Sequence, residues 1–479
     1  MAADLLVASN RGPVSFGYDG GGRLVSRRGG GGLVSGLAAA TRGSQALWVC
    51  AALSDADREA AARAAASGGL IDGAFDAPLR MLDIPADTYD GAYNGIANSV
   101  LWFVNHMLYA TPTAPVFDSA FRLQWDQYVD YNAAFAEALA ADAAAGAAVL
   151  VQDYHLLLTP AMLRALRPDL RIGHFLHTPW APPDYFGLLP DDVADALVAG
   201  LLGADHAGFL ARRWADAFAA CAVTREGIRL EPDGERPGRL ERGDRSTGLG
   251  VHPLGVDAPE LVARAQQDDV VERLVTLRDG VGDCQVVVRI DRTELSKNIV
   301  RGLLAFRAML SDHPELHGRV VHLVFAYPSR GDLPEYRAYT DEVRATAQQI
   351  NAEFGTAAWE PIRIYVSDDY PRSLAAMRLA DVLVVNPIRD GMNLVAKEGP
   401  IVSDDGVALV LSREAGAYAE LGSDALVVNP YDVQTTAAAM YAGLTMDPAK
   451  RRWRSDRLAH VAGSRPPQQW IADQLAALH

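Results

Sequence analysis

Two permanent cations, Arg292 and Lys297, stand five positions apart in the run Arg292-Thr293-Glu294-Leu295-Ser296-Lys297. They follow the apolar stretch 286–290, which reads as a buried strand, so both belong to the loop and helix start beyond its carboxyl end. That spacing suits a diphosphate, whose two phosphoryl groups each take charge-assisted hydrogen bonds. Solvated surface charge is the competing reading, but in an acidic chain a basic pair at a strand end points to an anion site. A second run, Asn386-Pro387-Ile388-Arg389-Asp390-Gly391-Met392-Asn393-Leu394-Val395-Ala396-Lys397-Glu398, packs a strand end, a Gly turn and a helix start together. Residues 382–385 read as the strand, Asp390-Gly391 as the turn and Asn393 as the helix N-cap. N–H groups at such a helix start attract phosphate. On its own spacing the run is equally an ordinary strand-to-helix connection, in which Glu398 complements the helix dipole.

Other polar motifs also follow apolar runs. Asn10-Arg11 follows 5–9, Asp153-Tyr154-His155 follows 149–152, His177-Thr178-Pro179-Trp180 follows 172–176, and Ser329-Arg330-Gly331-Asp332 follows 320–327. Gly29-Gly30-Gly31-Gly32 precedes an apolar helix from Leu33, where backbone could approach a phosphate closely. It does not form G-x-G-x-x-G directly after a strand, so a dinucleotide fingerprint is disfavoured. His155, His174 and His177 invite a metal reading, yet no H-E-x-x-H and no carboxylate at ligand spacing accompanies them. His174 falls mid-strand and reads as a core histidine, whereas His177 ends its strand. Tyr93-Asn94 and Trp102 lie in an aromatic segment whose flat faces could stack on a sugar, with core packing the stronger reading for Trp102.

These side chains need a scaffold, and the chain supplies two. At 479 residues it exceeds the usual span of one core. Apolar runs at 5–9, 46–50, 149–152, 172–176 and 207–210, then 286–290, 320–327, 362–366, 382–385, 408–411 and 425–428, alternate with helical segments. That alternation predicts an α/β fold of two doubly wound, Rossmann-like parallel sheets. Between them 229–250 is rich in charge, Gly and Pro, with room for a hairpin. The expected parts are residues 1–255, residues 256–455 and a terminal helix, 456–479, returning to the first domain. The Ala-rich stretch 133–148 reads as a packed helix. Ligands in open α/β sheets sit beyond the carboxyl ends of the strands, where two domains facing each other would share a cleft.

A formal net charge of −16 argues against nucleic acid or an anionic membrane as partner. Three cysteines, far apart and odd in number, fit a reducing compartment without a disulfide frame. With no basic n-region and no apolar span of about 18 residues, a cytoplasmic location is expected.

Taken in order, Ser9-Asn10-Arg11, Gly31-Gly32-Leu33, Asp153-Tyr154-His155, His177-Thr178-Pro179-Trp180-Ala181-Pro182, Arg292…Lys297, Ser329-Arg330-Gly331-Asp332, Asp390 to Glu398 and Asn429-Pro430-Tyr431-Asp432 resemble the trehalose-6-phosphate synthase family. These are retaining glycosyltransferases of the two-Rossmann GT-B fold. The resemblance implies transfer of glucose from a nucleotide diphosphate to the anomeric hydroxyl of glucose 6-phosphate. It makes Arg292 and Lys297 the donor diphosphate clamp, with Gly31, Gly32 and the backbone of Asn393-Leu394-Val395 as partners. Glu398 would take the ribose, and Asp390, Gly391, Met392 and His177 the donor glucose. Arg11, Tyr93, Trp102 and Arg330 would hold the acceptor phosphate and Asp153 the acceptor sugar. The implied reaction needs neither a metal nor a cofactor, because the leaving phosphate oxygen takes the acceptor proton. An assembly of identical chains stays open.

The common family segment reads Arg-Leu-Asp-Tyr-Ser-Lys-Gly, and this chain departs from it at Thr293, Glu294, Leu295 and Asn298. Thr293 and Asn298 resemble an actinobacterial branch able to use GDP-glucose, so GDP-glucose is expected over UDP-glucose. Alternatives are a pseudo-glycosyltransferase joining a GDP-cyclitol to a cyclitol phosphate, a sugar-nucleotide sensor without catalysis, and, remotely, a nicotinamide-dependent oxidoreductase using Gly29 to Gly32. Asn10-Arg11, Asp390-Gly391-Met392-Asn393 and Lys397 favour the synthase.

Overall fold

The structure is a computed structural model that describes residues 2–28, 46–65, 68–71, 77–331 and 333–478. The Gly29 to Gly32 motif and Asp332 lie outside the described residues. The chain divides into two compact units, Met1–Leu254 with Pro467–His479, and Gly255–Pro466. The terminal segment thus joins the first unit from Pro467 rather than from 456.

In the first unit, β1 (Ala3–Ala8), β4 (Leu47–Ala51), β5 (Leu79–Leu82), β6 (Ala143–Gln152), β7 (Arg171–Leu176) and β8 (His206–Phe209) form a parallel sheet in the order β5-β4-β1-β6-β7-β8. Helices cover such a sheet on both faces, so the middles of its strands are mostly apolar: Leu6, Val7 and Ala8 of β1 are fully buried. A separate hairpin, β2 (Val14–Tyr18) and β3 (Leu24–Arg28), follows β1. The charged stretch before the second unit is more than a hairpin. It forms β9 (Ile228–Asp233), β10 (Arg236–Arg242) and β11 (Arg245–Val251), with β11 parallel to β8 and the other two extending the sheet antiparallel.

The Ala-rich stretch corrects the reading from sequence. The helix Ser119–Asp142, capped by the Asp118 carboxylate on the Phe121 amide at 3.1 Å, stops at Asp142, and Ala143 to Ala148 are strand. Alanine tolerates either state, so tertiary context decided. Gly146 sits at φ 70, outside helical space, Asp142 is held by the Arg80 guanidinium (Nη2–Oδ1 2.8 Å), and β6 pairs with both β1 and β7. The terminal segment belongs here because Trp470, 2% exposed, packs edge-on against Phe175 of β7 at 4.9 Å.

The second unit is a six-stranded, wholly parallel sheet of β12 (Gln285–Arg292), β13 (Val320–Tyr327), β14 (Ile362–Tyr365), β15 (Val382–Val385), β16 (Ala408–Ser412) and β17 (Leu426–Val428). Its order is β14-β13-β12-β15-β16-β17, so the direction of winding reverses between β12 and β15. The corresponding reversal in the first unit lies between β1 and β6. Loops on either side of a reversal diverge and leave a crevice at the carboxyl ends of the strands. The Arg292–Lys297 and Asp390–Glu398 runs leave the two strands that flank one reversal, and Asn10-Arg11 and Asp153 those that flank the other.

Candidate functional site

Beyond β12 the backbone makes one 3₁₀ turn, Leu295–Lys297, and enters the helix Ile299–Asp312. A fully buried arginine shapes that path. Arg289 donates from Nη2 to the Asp291 carboxylate at 2.7 Å and the Lys297 carbonyl at 3.1 Å, and from Nη1 to the Ile299 carbonyl at 3.3 Å. A Cβ on Gly302 would lie 2.1 Å from that Nη1, so the guanidinium occupies space only glycine leaves. Asn298 lies in the left-handed region at φ 60, which glycine and asparagine tolerate best. Its Nδ2 donates to the carbonyls of Asn386 at 2.9 Å and Pro430 at 2.8 Å, tying this turn to the loops after β15 and β17.

Lys297 emerges from this frame with Nζ 2.6 Å from Asp390 Oδ2. Burial works against its charge, but the carboxylates of Asp390, Glu294 and Asp291 more than offset that and push its pKa above the ordinary lysine value. Arg292, the last residue of β12, is exposed and forms no ion pair among the described residues.

The glycine turn is held from a neighbouring loop. Asp390 donates its amide to the Glu414 carbonyl at 3.2 Å, and its own carbonyl accepts from Gly416 at 3.0 Å; Ala417 donates to the Met392 carbonyl at 2.9 Å. Asn393, at φ 80, donates from Nδ2 to Asp390 Oδ2 at 3.1 Å and accepts from the Ala396 amide at 3.2 Å. It therefore caps through its side chain, although the helix itself is Val395–Val402 and Leu394 occupies the N-cap position. Gly391 and Met392 are buried and Leu394 and Val395 half-buried. Lys397, 1% exposed at its side chain, pairs with Glu420 at 2.7 Å. Burial pushes the Glu398 carboxyl up to about 7.

In the first unit Tyr131 donates to Asn10 Oδ1 at 2.6 Å, and Arg11 Nη2 donates to the Tyr93 hydroxyl at 3.3 Å. Tyr93 stacks between Tyr89 at 5.2 Å and His155 at 5.6 Å, inside a π-helical segment, Gly91–Leu101, of a kind often found at functional sites. Trp102 begins the next turn and stacks on His106 at 3.8 Å. Asp153 adopts φ 70, and its Oδ1 accepts from the His177 amide at 3.2 Å. The His177 ring contacts Gln152 Oε1 at 3.0 Å and lies beside Phe175 at 4.9 Å and Trp470 at 5.5 Å. Burial, with His174 adding to it, lowers its pKa to about 3, so it is a neutral hydrogen-bonding group near neutral pH.

The structure therefore gathers Arg292, Lys297, Asp390, Gly391, Met392, Asn393, Leu394, Val395 and Glu398 around the β12/β15 reversal. It gathers Arg11, Tyr93, Trp102, Asp153 and His177 near the β1/β6 reversal. Arg330, assigned by resemblance to the acceptor phosphate, belongs to the second unit, at φ 45, with Nη1 3.0 Å from Glu294 and 3.2 Å from the Tyr336 hydroxyl. Among the described residues no group of three or more His, Cys, Asp or Glu could hold a metal ion, and no helix is long and apolar enough to cross a membrane. The three cysteines are free. Sequence reasoning gave no role to Arg289, Glu294, Gln152, Glu420 or Gly416. A lone arginine inside an apolar strand run was the available signal for Arg289; the others take meaning only from distant partners.

Two Rossmann-type units, each with polar loops at the reversal of its sheet, are the parts from which glycosyltransferases of the GT-B class are built. The chain belongs to glycosyltransferase family 20, whose model matches residues 3–479. It is 34% identical over 492 residues to a trehalose-6-phosphate synthase of Mycobacterium sp. strain JLS, covering 99% of this chain and 96% of that protein. It spans 53% of a bifunctional trehalose-6-phosphate synthase/phosphatase of Thermoproteus tenax, at 34% identity over 84% of this chain. Among solved structures it resembles the E. coli enzyme bound with UDP-2-fluoro glucose, with TM-score 0.84, 27% identity, and coverage of 99% of this chain and 98% of that one. It also resembles a UDP-forming α,α-trehalose-phosphate synthase of Burkholderia xenovorans in complex with glucose 6-phosphate, with TM-score 0.86, 25% identity and full coverage of both chains, 100% each.

Two outcomes test this site. A Cβ on Gly416 would lie 1.8 Å from the Gly391 carbonyl oxygen and 3.0 Å from Met392 Cα. Gly416→Ala must displace the Asp390 to Met392 turn, costing about 1–3 kcal/mol of stability and lowering turnover about tenfold or more; wild-type turnover would show that the turn is not held from this loop. Glu398 titrates near 7 when folded against an ordinary 4.5, so its ionisation opposes folding as pH rises through that window and is without effect below it. Glu398→Gln is expected to raise the melting temperature at about pH 8, by at most about 3 kcal/mol of stability, and to leave it unchanged near pH 4. A pH-independent difference between the two melting curves would contradict this.

Proposed function

We propose that the protein is a retaining glucosyltransferase that moves glucose from a nucleoside diphosphate glucose to the anomeric hydroxyl of glucose 6-phosphate, forming α,α-trehalose 6-phosphate. The observation that carries this reading is Lys297, held 2.6 Å from Asp390 where β12 and β15 part. The names of the relatives and the ligands of the two solved complexes supply the sugar-nucleotide and the phosphorylated acceptor.

In the proposed step the bond from the glucose anomeric carbon to the leaving phosphate oxygen breaks while the bond to the acceptor oxygen forms on the same face. The acceptor proton passes to the departing phosphate oxygen, giving the nucleoside diphosphate and the disaccharide phosphate. Lys297 and Arg292 would stabilise the charge growing on that diphosphate, an electrostatic contribution commonly among the largest in catalysis. No protein nucleophile is invoked, and the position of Asp390 supports this. Its Oδ2 is engaged by both Lys297 and Asn393, which suits a residue that orients sugar hydroxyls rather than one that attacks carbon. Glu398 would accept from the ribose hydroxyls, while neutral His177 would contribute a hydrogen bond to the donor glucose. Metal independence is part of the proposal, because the two side-chain cations occupy the role a divalent ion would otherwise take.

GDP-glucose is proposed as the preferred donor on sequence likeness at Thr293 and Asn298. Both are buried, and the Asn298 amide is turned onto backbone carbonyls. They therefore mark a branch without themselves reading a base. Incubation with glucose 6-phosphate and a panel of nucleotide glucoses should yield trehalose 6-phosphate fastest with GDP-glucose, with rates unchanged by a chelator. Turnover with UDP-glucose alone would reject the donor assignment, and chelator-sensitive turnover would reject metal independence. Removing one member of a desolvated ionic contact costs about 2–5 kcal/mol, so Lys297→Ala or Arg292→Ala should lower turnover roughly a hundredfold or more. Near-normal rates in either variant would remove that residue from the clamp.

A further inference from the structure

Glu294 sits on the cation loop and helps keep Lys297 charged, but its own side-chain bonds are made to the loop after β13. Its backbone is fixed at both sides, its amide donating to the Arg292 carbonyl at 2.8 Å and its carbonyl accepting from the Lys297 amide at 3.0 Å. Its side chain is 5% exposed and meets the loop after β13: Oε1 lies 3.0 Å from Arg330 Nη1 and accepts from the Ser329 hydroxyl at 2.8 Å. Burial opposes its charge, but Arg330, Lys297 and the Ser329 bond prevail and hold the carboxyl at about 2. Arg330 itself sits at φ 45, a backbone state that costs a non-glycine residue on the order of 1–3 kcal/mol unless its surroundings enforce it. The enforcing contacts include Glu294 and Tyr336, whose ring lies 5.4 Å beneath the guanidinium and whose hydroxyl is 3.2 Å from Nη1.

We propose that Glu294 is a positioning residue that fixes the guanidinium of Arg330 as the reader of the acceptor phosphate, joining the acceptor-reading loop to the cation loop that carries Arg292 and Lys297. The proposal rests on the reading that the acceptor is a sugar phosphate and on the family resemblance that assigns Arg330 to that phosphate. It makes a prediction that simple charge counting reverses. A buried carboxylate beside Arg330 repels an incoming phosphate, so if it served only to dilute positive charge, its removal would tighten acceptor binding. If it positions Arg330, its removal weakens that binding.

Glu294→Gln keeps the reach and removes the charge; Glu294→Asp keeps the charge and withdraws it by one methylene. In steady-state kinetics on the full chain, Glu294→Gln is expected to raise KM for glucose 6-phosphate about tenfold or more, equivalent to about 1.4 kcal/mol. KM for the nucleotide sugar and kcat should change less than about threefold by comparison, and Glu294→Asp should show the same pattern at smaller amplitude. Inorganic phosphate as an inhibitor competitive with the acceptor should lose affinity in parallel. A lowered KM for glucose 6-phosphate, equal rises in both KM values, or unchanged phosphate inhibition would each overturn the positioning role. Failure of the functional reading is distinguishable, because wild-type transfer to an unphosphorylated sugar would reveal it without involving Glu294.

Discussion

Lys297 and Asp390 stand 2.6 Å apart, one on the loop that leaves β12 and the other on the loop that leaves β15. Bringing a cation and a carboxylate out of water costs several kcal/mol per ion, and their attraction offsets this only where further hydrogen bonds complete the arrangement. Here they do. Asn393 donates to the same Asp390 oxygen, and Arg289 fixes the Lys297 carbonyl from within the sheet. The rest of the crevice depends on this pair, because it sets the separation between the loop that would face a diphosphate and the turn that would face its sugar.

The same logic recurs around it. Arg289 is held by Asp291, Arg330 by Glu294 and Lys397 by Glu420, at 2.7, 3.0 and 2.7 Å. In each pair the attraction between cation and carboxylate offsets the cost of taking both out of water. Arg292 differs, being exposed at the strand end. On the proposed reading it is the cation most ready to meet a ligand, whereas Lys297 must share itself with Asp390. In the first unit, half-buried His177 adds no charge at neutral pH, so on the proposed reading the positive charge that would meet an anion there is that of Arg11 beside Tyr93.

Much of this was legible from the residues. The strands of both parallel sheets, except β5 with its central Arg80, announce themselves as short apolar runs because both of their faces are covered, and the polar motifs follow at the strand ends. The Ala-rich segment was misread because alanine carries little local preference, and the pairing of β6 with β1 and β7 decided its state. The strands β9 to β11 were masked by their charge, which a sheet edge tolerates. Asn298 illustrates a subtler limit. Its place in the motif looked like a signature of donor choice, yet its φ of 60 and its bonds to Asn386 and Pro430 give it a structural task. Likewise Glu294 and Gly416 are unremarkable in the sequence, since each acts through a loop far along the chain.

A half-buried, mutually dependent ion pair, Lys297 with Asp390, organises the crevice of the second unit. Its most direct test is a double-mutant cycle on folding stability, measured by chemical denaturation of the wild-type chain, Lys297→Met, Asp390→Asn and the two combined. Each single change should destabilise by leaving one charge without its partner, and the combined change should recover part of the loss, with a coupling energy above about 1 kcal/mol. Strict additivity of the two single effects would contradict it.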